Sequence, residues 1–450
     1  MTFIFFKYIK RLSFLFAALI VASCSELADP DLTHSGSSGG RGQYPDRQVS
    51  PESRKVLIMY SAGYNSLTSF LKSDISDLKT GWLPGKHRSD DVLLVYSHFT
   101  EKGYATPTSP VLTRVYEAMD GSVVTDTLLV YEKGTISSSA SQLSEVLTFV
   151  RDEFPARSYG MIFSSHATGY LPAGYYTNSS EYEKAGIVSW PLYSPMGSGP
   201  VPVPYVAPCY DPSLPMTKSI GQDQVYVGND SFSYEMDLVD FADAIPMYMD
   251  YILFDACLMG GVEVAYQLKD VCRRVGFSQA EVLAEGFDYT TLTTHLLMPR
   301  DPDPQAVCED YFAQYADRQG LQQSATISLV DCTALETLAD VCSRIFSEYS
   351  SQLSGLNRSL VQRYYRYNYH WFYDMESIIV QSGVTGELLE EFYEALGGCI
   401  VYKAATPSFM DSFDITTASG LSMFLPSDGG SYLKRYYKGL AWNQTTGLVQ

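Results

Sequence analysis

The stretch Tyr251-Ile-Leu-Phe-Asp-Ala-Cys-Leu-Met-Gly-Gly-Val-Glu-Val-Ala-Tyr266 constrains the fold more than any other part of the chain. Tyr251 to Phe254 is a short apolar run without polar alternation, the pattern of a strand buried on both faces, and Asp255 marks its boundary. Apolar residues then recur at near-helical spacing (Leu258, Val262, Ala265, Tyr266, Leu268), which predicts a helix from Leu258 to Lys269. Cys257 therefore stands between the carboxyl end of a strand and the amino end of a helix. Open α/β sheets place their sites beyond the carboxyl ends of strands, and a helix amino terminus favours a thiolate. Cys257 is a candidate nucleophile on these grounds; the competing reading is a small core residue, the common fate of a free cysteine.

A thiolate nucleophile needs a base and a means of holding the oxyanion. Upstream, Tyr159-Gly-Met-Ile-Phe-Ser-Ser-His-Ala-Thr-Gly-Tyr-Leu-Pro172 repeats the pattern: a buried strand from Tyr159 to Phe163, then His166 in a loop containing Gly169. Neighbouring parallel strands would bring His166 and Cys257 over the same sheet edge, as a Cys/His dyad requires. Alone, His166 reads more readily as a polar cap than as a base. The pair in matching contexts is what points to catalysis.

Around these two stretches the chain alternates. Strands are predicted at Lys55 to Ser61, Asp91 to Tyr96 and Thr127 to Tyr131, with helices at Leu67 to Leu78 and Ser141 to Glu153. Glu281 to Glu285 reads as another strand end. Alternation of this kind argues for an α/β fold with a mostly parallel, doubly wound sheet. Asp301-Pro-Asp-Pro304 is a hinge-like boundary; a helix (Gln305 to Arg318), a strand (Thr326 to Val330) and a helix (Leu335 to Ser350) follow. Arg358, Arg363 and Arg366 then lie among Tyr364, Tyr365, Tyr367 and Tyr369. Such a cluster suits either an acidic ligand or helix packing.

Asp255-Ala-Cys-Leu-Met-Gly260 and Ser165-His-Ala-Thr-Gly-Tyr170 resemble the two catalytic motifs of the clostripain family of cysteine peptidases, which have a caspase-like fold. Val56-Leu-Ile-Met-Tyr-Ser-Ala-Gly-Tyr-Asn65 resembles the family's first strand and loop. Ala284-Glu-Gly-Phe-Asp-Tyr289 resembles its acidic segment after the catalytic helix, and Gly420-Leu-Ser-Met-Phe-Leu-Pro426 a late strand. His370-Trp-Phe-Tyr-Asp-Met375 is similar to a further family segment. The resemblance implies a caspase-like α/β/α sandwich in which His166 is the general base and Cys257 the nucleophile. The backbone N–H groups of Cys257 and Ala167 would line the oxyanion hole. The family usually has Gly where Ala167 stands; alanine keeps the N–H, but a positive φ there would strain it. The resemblance also puts Asp255 on the floor of a pocket that selects Arg or Lys, where a carboxylate suits a guanidinium. From the residues alone, Asp255 also reads as the cap of the following helix. Glu285 and Asp288 are expected near the cleft, either assisting a substrate cation or as solvated loop acids. Calcium dependence occurs in the family, but the sequence has no EF-hand-like spacing and no zinc signature, and it requires no cofactor.

A formal charge of −20 with no basic block argues against a nucleic-acid partner; the resemblance implies a peptide or protein substrate. Lys7, Lys10 and Arg11 flank the apolar run Leu12 to Val21, too short for a comfortable membrane span. Val21-Ala-Ser-Cys24 resembles a bacterial lipobox, so residues 1–24 are expected to be a lipoprotein signal with Cys24 lipidated. That places the protein in the cell envelope, on the periplasmic or the surface side, with a lipid contact to the membrane. Residues 25–54, rich in Ser, Gly, Asp and Pro, read as a flexible tether. A catalytic domain is expected over 55–299 and a C-terminal α/β subdomain over 300–450. A Pro-, Tyr- and Gly-rich insertion spans about 175–234, a length without periodicity that is unusual inside a domain. It offers Lys184-Ala185 and Lys218-Ser219 as processing points, the first favoured. Cys209, Cys272, Cys308, Cys332, Cys342 and Cys399 are an even set compatible with disulfides in an exported protein. The expectation is an exported, lipid-anchored cysteine endopeptidase cleaving after Arg or Lys through a thioester acyl-enzyme. The readings beside it are a catalytically silent surface binding lipoprotein on the same fold, and an acyl-transfer enzyme using the same dyad.

Overall fold

Nine runs rich in Val, Ile, Leu, Tyr and Phe pair into one sheet, as side chains that fit a pleated buried surface do. They are β1 (Lys55–Ala62), β2 (Val92–His98), β3 (Val111–Glu117), β4 (Val123–Val130), β5 (Ser158–Ser164), β6 (Met249–Asp255), β7 (Cys272–Phe277), β8 (Thr326–Asp331) and β9 (Ile400–Ala405). This is a computed structural model, and it describes residues 53–85, 90–101, 106–184, 202–204, 223–227, 230–367 and 371–450. The expected signal, Cys24, nearly all of the tether, Ala185, Cys209, Lys218-Ser219 and His370 lie outside the described residues.

The strand order is β9-β8-β7-β6-β5-β1-β2-β3-β4. The five central strands, β7-β6-β5-β1-β2, are parallel. The four outer ones join them antiparallel. The sheet is thus a mixed one. The strand expected at Thr127 to Tyr131 is the second half of β4; β3 and the start of β4 escape an apolar-run reading because they carry Thr113, Arg114, Thr125 and Asp126, and β4 is largely exposed. The strand expected at Glu281 to Glu285 lies earlier, as β7, where Arg273 and Arg274 interrupt the apolar pattern. β8 and β9, from the 300–450 region, continue this same sheet.

The chain runs outward from β1 to β2, then returns to the other side of β1 as β5 and continues to β6 and β7. The order reverses between β1 and β5. The crevice beyond the carboxyl ends of strands at such a reversal is where open α/β sheets hold their sites.

Helices form the two outer layers. α1 (Thr68–Leu78), α5 (Tyr289–Leu296) and α6 (Pro304–Ala316) contact one another in sequence, and α6 lies against β8. α4 (Val262–Leu268), α7 (Leu335–Glu348) and α8 (Glu387–Cys399) form the other group, with the short helix Ala441–Thr446 touching α4 and α7. α2 (Ala140–Glu153) starts at Ser139, whose side chain accepts from the Gln142 N–H. α3 (Tyr175–Lys184) opens the insertion and meets α9 (Ser431–Tyr437). The described cysteines are all buried and outside disulfides. Among the described residues no helix is long and apolar enough to cross a membrane.

One buried acid ties the C-terminal segment to the sheet. Glu263 on α4 is fully buried, and its Oε1 accepts from the Phe424 N–H at 2.8 Å and the Tyr437 hydroxyl at 2.6 Å. Burial pushes its carboxyl up to about 7, against which these hydrogen bonds act. The folded chain therefore holds the Glu263 proton more tightly than the unfolded chain. The stability this contributes is present in full below about pH 4.5 and is lost as pH rises to about 7. Denaturant unfolding is expected to show stability falling by on the order of 3 kcal/mol over that window from this group. Glu263→Gln, which keeps the acceptor oxygen, should flatten most of that slope.

Candidate active site

β5 and β6 are adjacent and parallel, and the last paired residues are Ser164 and Asp255. Counting two residues beyond that pair on each strand reaches His166 and Cys257. The two candidate side chains thus occupy equivalent positions past the same sheet edge. Ser164 and Asp255 are also linked directly, with the hydroxyl donating to Asp255 Oδ2 at 3.0 Å.

The loops that follow pack backbone to backbone. Gly169 has φ +60°, and a Cβ there would lie 2.5 Å from the Leu258 carbonyl oxygen. Only glycine satisfies both conditions. Leu258 itself has φ +61°, a left-handed conformation costing about 1–2 kcal/mol for such a residue. Its N–H donates to the Ala280 carbonyl at 2.9 Å, and Gly260 N–H donates to Ser278 at 2.7 Å. These bonds draw residues 258–260 along the 278–280 segment instead of into a helix. Helix α4 consequently starts at Val262 with Gly261 before it, not at Leu258. The cap reading of Asp255 fails with that shift. Cys257 also lies more than one turn from the helix, beyond the reach of its end charge.

His166 is 7% exposed. Its Nε2 lies 3.2 Å from Ser66 Oγ, so a residue following β1 meets the histidine across the point where the strand order reverses. Ser165 pins the loop by donating to the Ala62 carbonyl at 2.8 Å. Ala167 is not among the residues with positive φ, so alanine in place of glycine carries no backbone strain. A cavity opens beside these residues, walled by His166, Ala167, Gly169, Met236, Leu238 and Met259.

Cys257 is fully buried, with its Sγ turned to the segment after β7. The Val282 N–H donates to the sulfur at 3.1 Å, and the Val282 carbonyl is 3.7 Å from it. Asp255, also fully buried, accepts from the Tyr289 hydroxyl at 2.6 Å as well as from Ser164. Burial raises the phenols of Tyr289, Tyr311 and Tyr315 well above their usual range, and the Asp255 charge adds to the effect on each. Asp255 thus has a tyrosine and a serine hydroxyl among its partners.

The remaining expected residues have local partners. Glu285 forms an ion pair with Arg318 at 2.5 Å. Asp288 caps α5, accepting from the Thr290 N–H at 3.0 Å and the Thr290 hydroxyl at 2.5 Å. Lys184 ends α3 and is exposed, pairing with Glu181 at 2.9 Å. Among the described residues no group of three or more His, Cys, Asp or Glu is placed to hold a metal ion.

Sequence reading missed Ser66, Val282 and the Glu281–Arg366 pair. Ser66 lies one residue past the recognisable first strand and loop. Arg366 belongs to the aromatic-basic cluster, but its guanidinium is bonded to the buried Glu281 carboxylate rather than offered to an acidic ligand.

A profile of the clostripain family matches residues 208–447, more than half of the chain. The chain belongs to the clostripain family. It is a cysteine peptidase, and its substrates are peptides. Solved structures agree on the caspase-like fold. One is an inactive zymogen C11 protease from Parabacteroides distasonis, with TM-score 0.67 and 24% identity over 89% of this chain and 99% of that one. A secreted C11 cysteine protease from Bacteroides thetaiotaomicron gives 0.66 and 23%, covering 88% of this chain and 100% of that one. A structure of a secreted C11 cysteine protease from the same organism, in complex with an irreversible peptide inhibitor, gives 0.65 and 22%, covering 88% and 98%. No curated protein matches the sequence.

Two substitutions test the assembly of this clostripain-family site. Gly169→Ala should lower both activity and melting temperature, since the left-handed strain costs about 1–3 kcal/mol before the contact with Leu258 is counted. Ser66→Ala should lower kcat about fivefold with KM unchanged, the worth of one hydrogen bond to the imidazole. Steady-state kinetics with a thermal melt separates the two effects.

Proposed function

We propose that Cys257 is the nucleophile and His166 the general base of an endopeptidase cleaving after Arg or Lys. The observation that carries this is the matched register: both residues stand two positions beyond the paired ends of adjacent parallel strands. His166 takes the proton from the Cys257 thiol, and the sulfur attacks the scissile carbonyl carbon. The N–H groups of Cys257 and Ala167 then receive the oxyanion. As the C–N bond breaks, His166 returns the proton to the leaving amine, and water hydrolyses the thioester.

Asp255 is the residue we assign to the substrate's basic side chain. It supports that role as a buried carboxylate two residues from the nucleophile, the group with which a guanidinium pairs. Glu285 and Asp288 already have partners in Arg318 and α5, so the specificity assignment rests on Asp255. Lys184-Ala185 is the proposed processing bond. Glu183, just before it, accepts from the Tyr432 and Leu433 N–H groups at 2.9 and 3.1 Å, so a cut there leaves α3 anchored. Residues 55–299 carry the dyad, 300–450 buttress it, and Cys24 is the proposed lipid anchor on the outer side of a bacterial membrane.

The protein lacking its first 24 residues, with and without Cys257→Ala, is to be assayed on fluorogenic peptides ending in Arg, Lys, Asp or Leu. Cleavage after Arg or Lys is expected, falling at least about a thousandfold in Cys257→Ala. Asp255→Asn should lose the basic substrates selectively. Turnover that survives Cys257→Ala removes the nucleophile assignment, and cleavage after another residue removes Asp255 while keeping the dyad.

A further inference from the structure

Glu281 is fully buried, and a carboxylate there costs several kcal/mol unless it is paired. Its partner is Arg366, some eighty residues later in the chain, which binds it bidentately. Arg366 Nη2 donates to Oε1 at 2.9 Å, and Nε donates to Oε2. The Arg366 side chain is 8% exposed and lies over the Tyr367 ring. Burial disfavours the Arg366 charge, but the bonds to Glu281 more than offset this and raise its pKa.

Through the backbone the pair is one residue from the sulfur. The residue after Glu281 is Val282, whose N–H donates to Cys257 Sγ. Two residues earlier than Val282, Ala280 is fixed on both sides: its N–H donates to Thr326 Oγ1 at 2.9 Å, and its carbonyl accepts from Leu258. Tyr176 on α3 reports the proximity. After burial and Tyr365, the charges that raise its pKa are those of Glu281 and Cys257. Other titratable groups on this side are His166 beyond β5, Asp255 at the end of β6, Tyr176 and Tyr365, and Tyr311 on α6, which also feels Cys257. Without Arg366, the Glu281 carboxylate would stand uncompensated in the residue next to the one that bonds the sulfur.

We propose that the Glu281–Arg366 pair is the positioning element of the nucleophile. Arg366 clamps Glu281 so that the next peptide presents its N–H to Cys257 Sγ, and it cancels the carboxylate's charge where a thiolate has to form. This rests on Cys257 being the nucleophile. Arg366 and Glu281 act through Val282 and the sulfur, and touch no substrate in the proposal.

The test is the acid limb of the kcat/KM profile of the active enzyme, which reports the ionisation of the free-enzyme dyad. Arg366→Met should move that limb up by about one pH unit and lower kcat more than tenfold, with KM within about twofold. Glu281→Gln, nearly isosteric and still able to bond Arg366, should move the limb down. Arg366→Lys should restore a midpoint close to wild type. Opposite shifts in the two neutralising variants are the signature; a group that merely holds the fold lowers the melting temperature and leaves both midpoints unmoved, which would overturn the proposal. Should Arg366→Met fail to fold, an unmoved limb in Glu281→Gln is sufficient to overturn it. Activity persisting in Cys257→Ala is a separate outcome, since it defeats the nucleophile assignment whatever the acid limb does.

Discussion

Parallel pairing of β5 with β6, closing on Ser164 and Asp255, is the constraint on which the rest of the site depends. Every residue of both strands is buried except Asp250, so a slip of one position would turn an entire apolar set to the wrong face. Register is therefore set by core packing. The candidate site inherits it: once Ser164 lies beside Asp255, the histidine loop and the cysteine loop leave the sheet from neighbouring points. They then meet at Gly169 and Leu258, where one backbone lies directly on the other.

The loops remain where they are because groups distant in the chain hold them. Ala62, ending β1, takes the Ser165 hydroxyl, and Ser66 just after it faces the imidazole. The segment 278–282 backs the cysteine loop with three hydrogen bonds, one of them to the sulfur. Arg366 binds that segment from the far side, and Glu263 secures residues 424 and 437 to the helix that follows the cysteine. Two buried acids, Glu281 and Glu263, thus connect the C-terminal third to the site. One is paired with a guanidinium, and the other has its proton favoured by burial. The difference follows from the available partner: two hydrogen-bond donors satisfy a carboxyl oxygen, but only a fixed cation offsets the cost of burying the charge.

Four of the five central strands and their order of appearance were legible in the sequence because burial on both faces leaves an unbroken apolar run, as in Tyr251 to Phe254; the fifth, β7, was expected too late because Arg273 and Arg274 break its run. Of the edge hairpin only the end of β4 was legible, as the strand expected at Thr127 to Tyr131. Its alternation of Thr, Asp and Arg with Val and Leu is what a half-exposed strand shows, and it competes poorly with turn and loop readings. The helix after Cys257 was placed too early for a related reason. Leu258 fits the helical period, but the Ala280 and Ser278 carbonyls, which no local pattern reveals, take its N–H and that of Gly260. Of the candidate site, His166 and Cys257 were singled out from context, whereas Ser66 gave no local signal and Glu281 was read as part of a strand; the fold brings them to the imidazole and to the segment that bonds the sulfur.

The sequence by itself determined that two buried strands end in a histidine loop and a cysteine loop, and that the cysteine motif carries an aspartate two residues before the thiol. Those are properties of contiguous residues, and short-range chemistry dictates them. Only the tertiary structure decided which neighbours those groups have: a serine from the first strand's loop for the histidine, a backbone N–H for the sulfur, two hydroxyls for the aspartate, and an arginine from the C-terminal third behind them. Such partners are chosen by how layers pack around the reversal of the sheet, where residues far apart in the chain converge, and no local periodicity encodes that convergence.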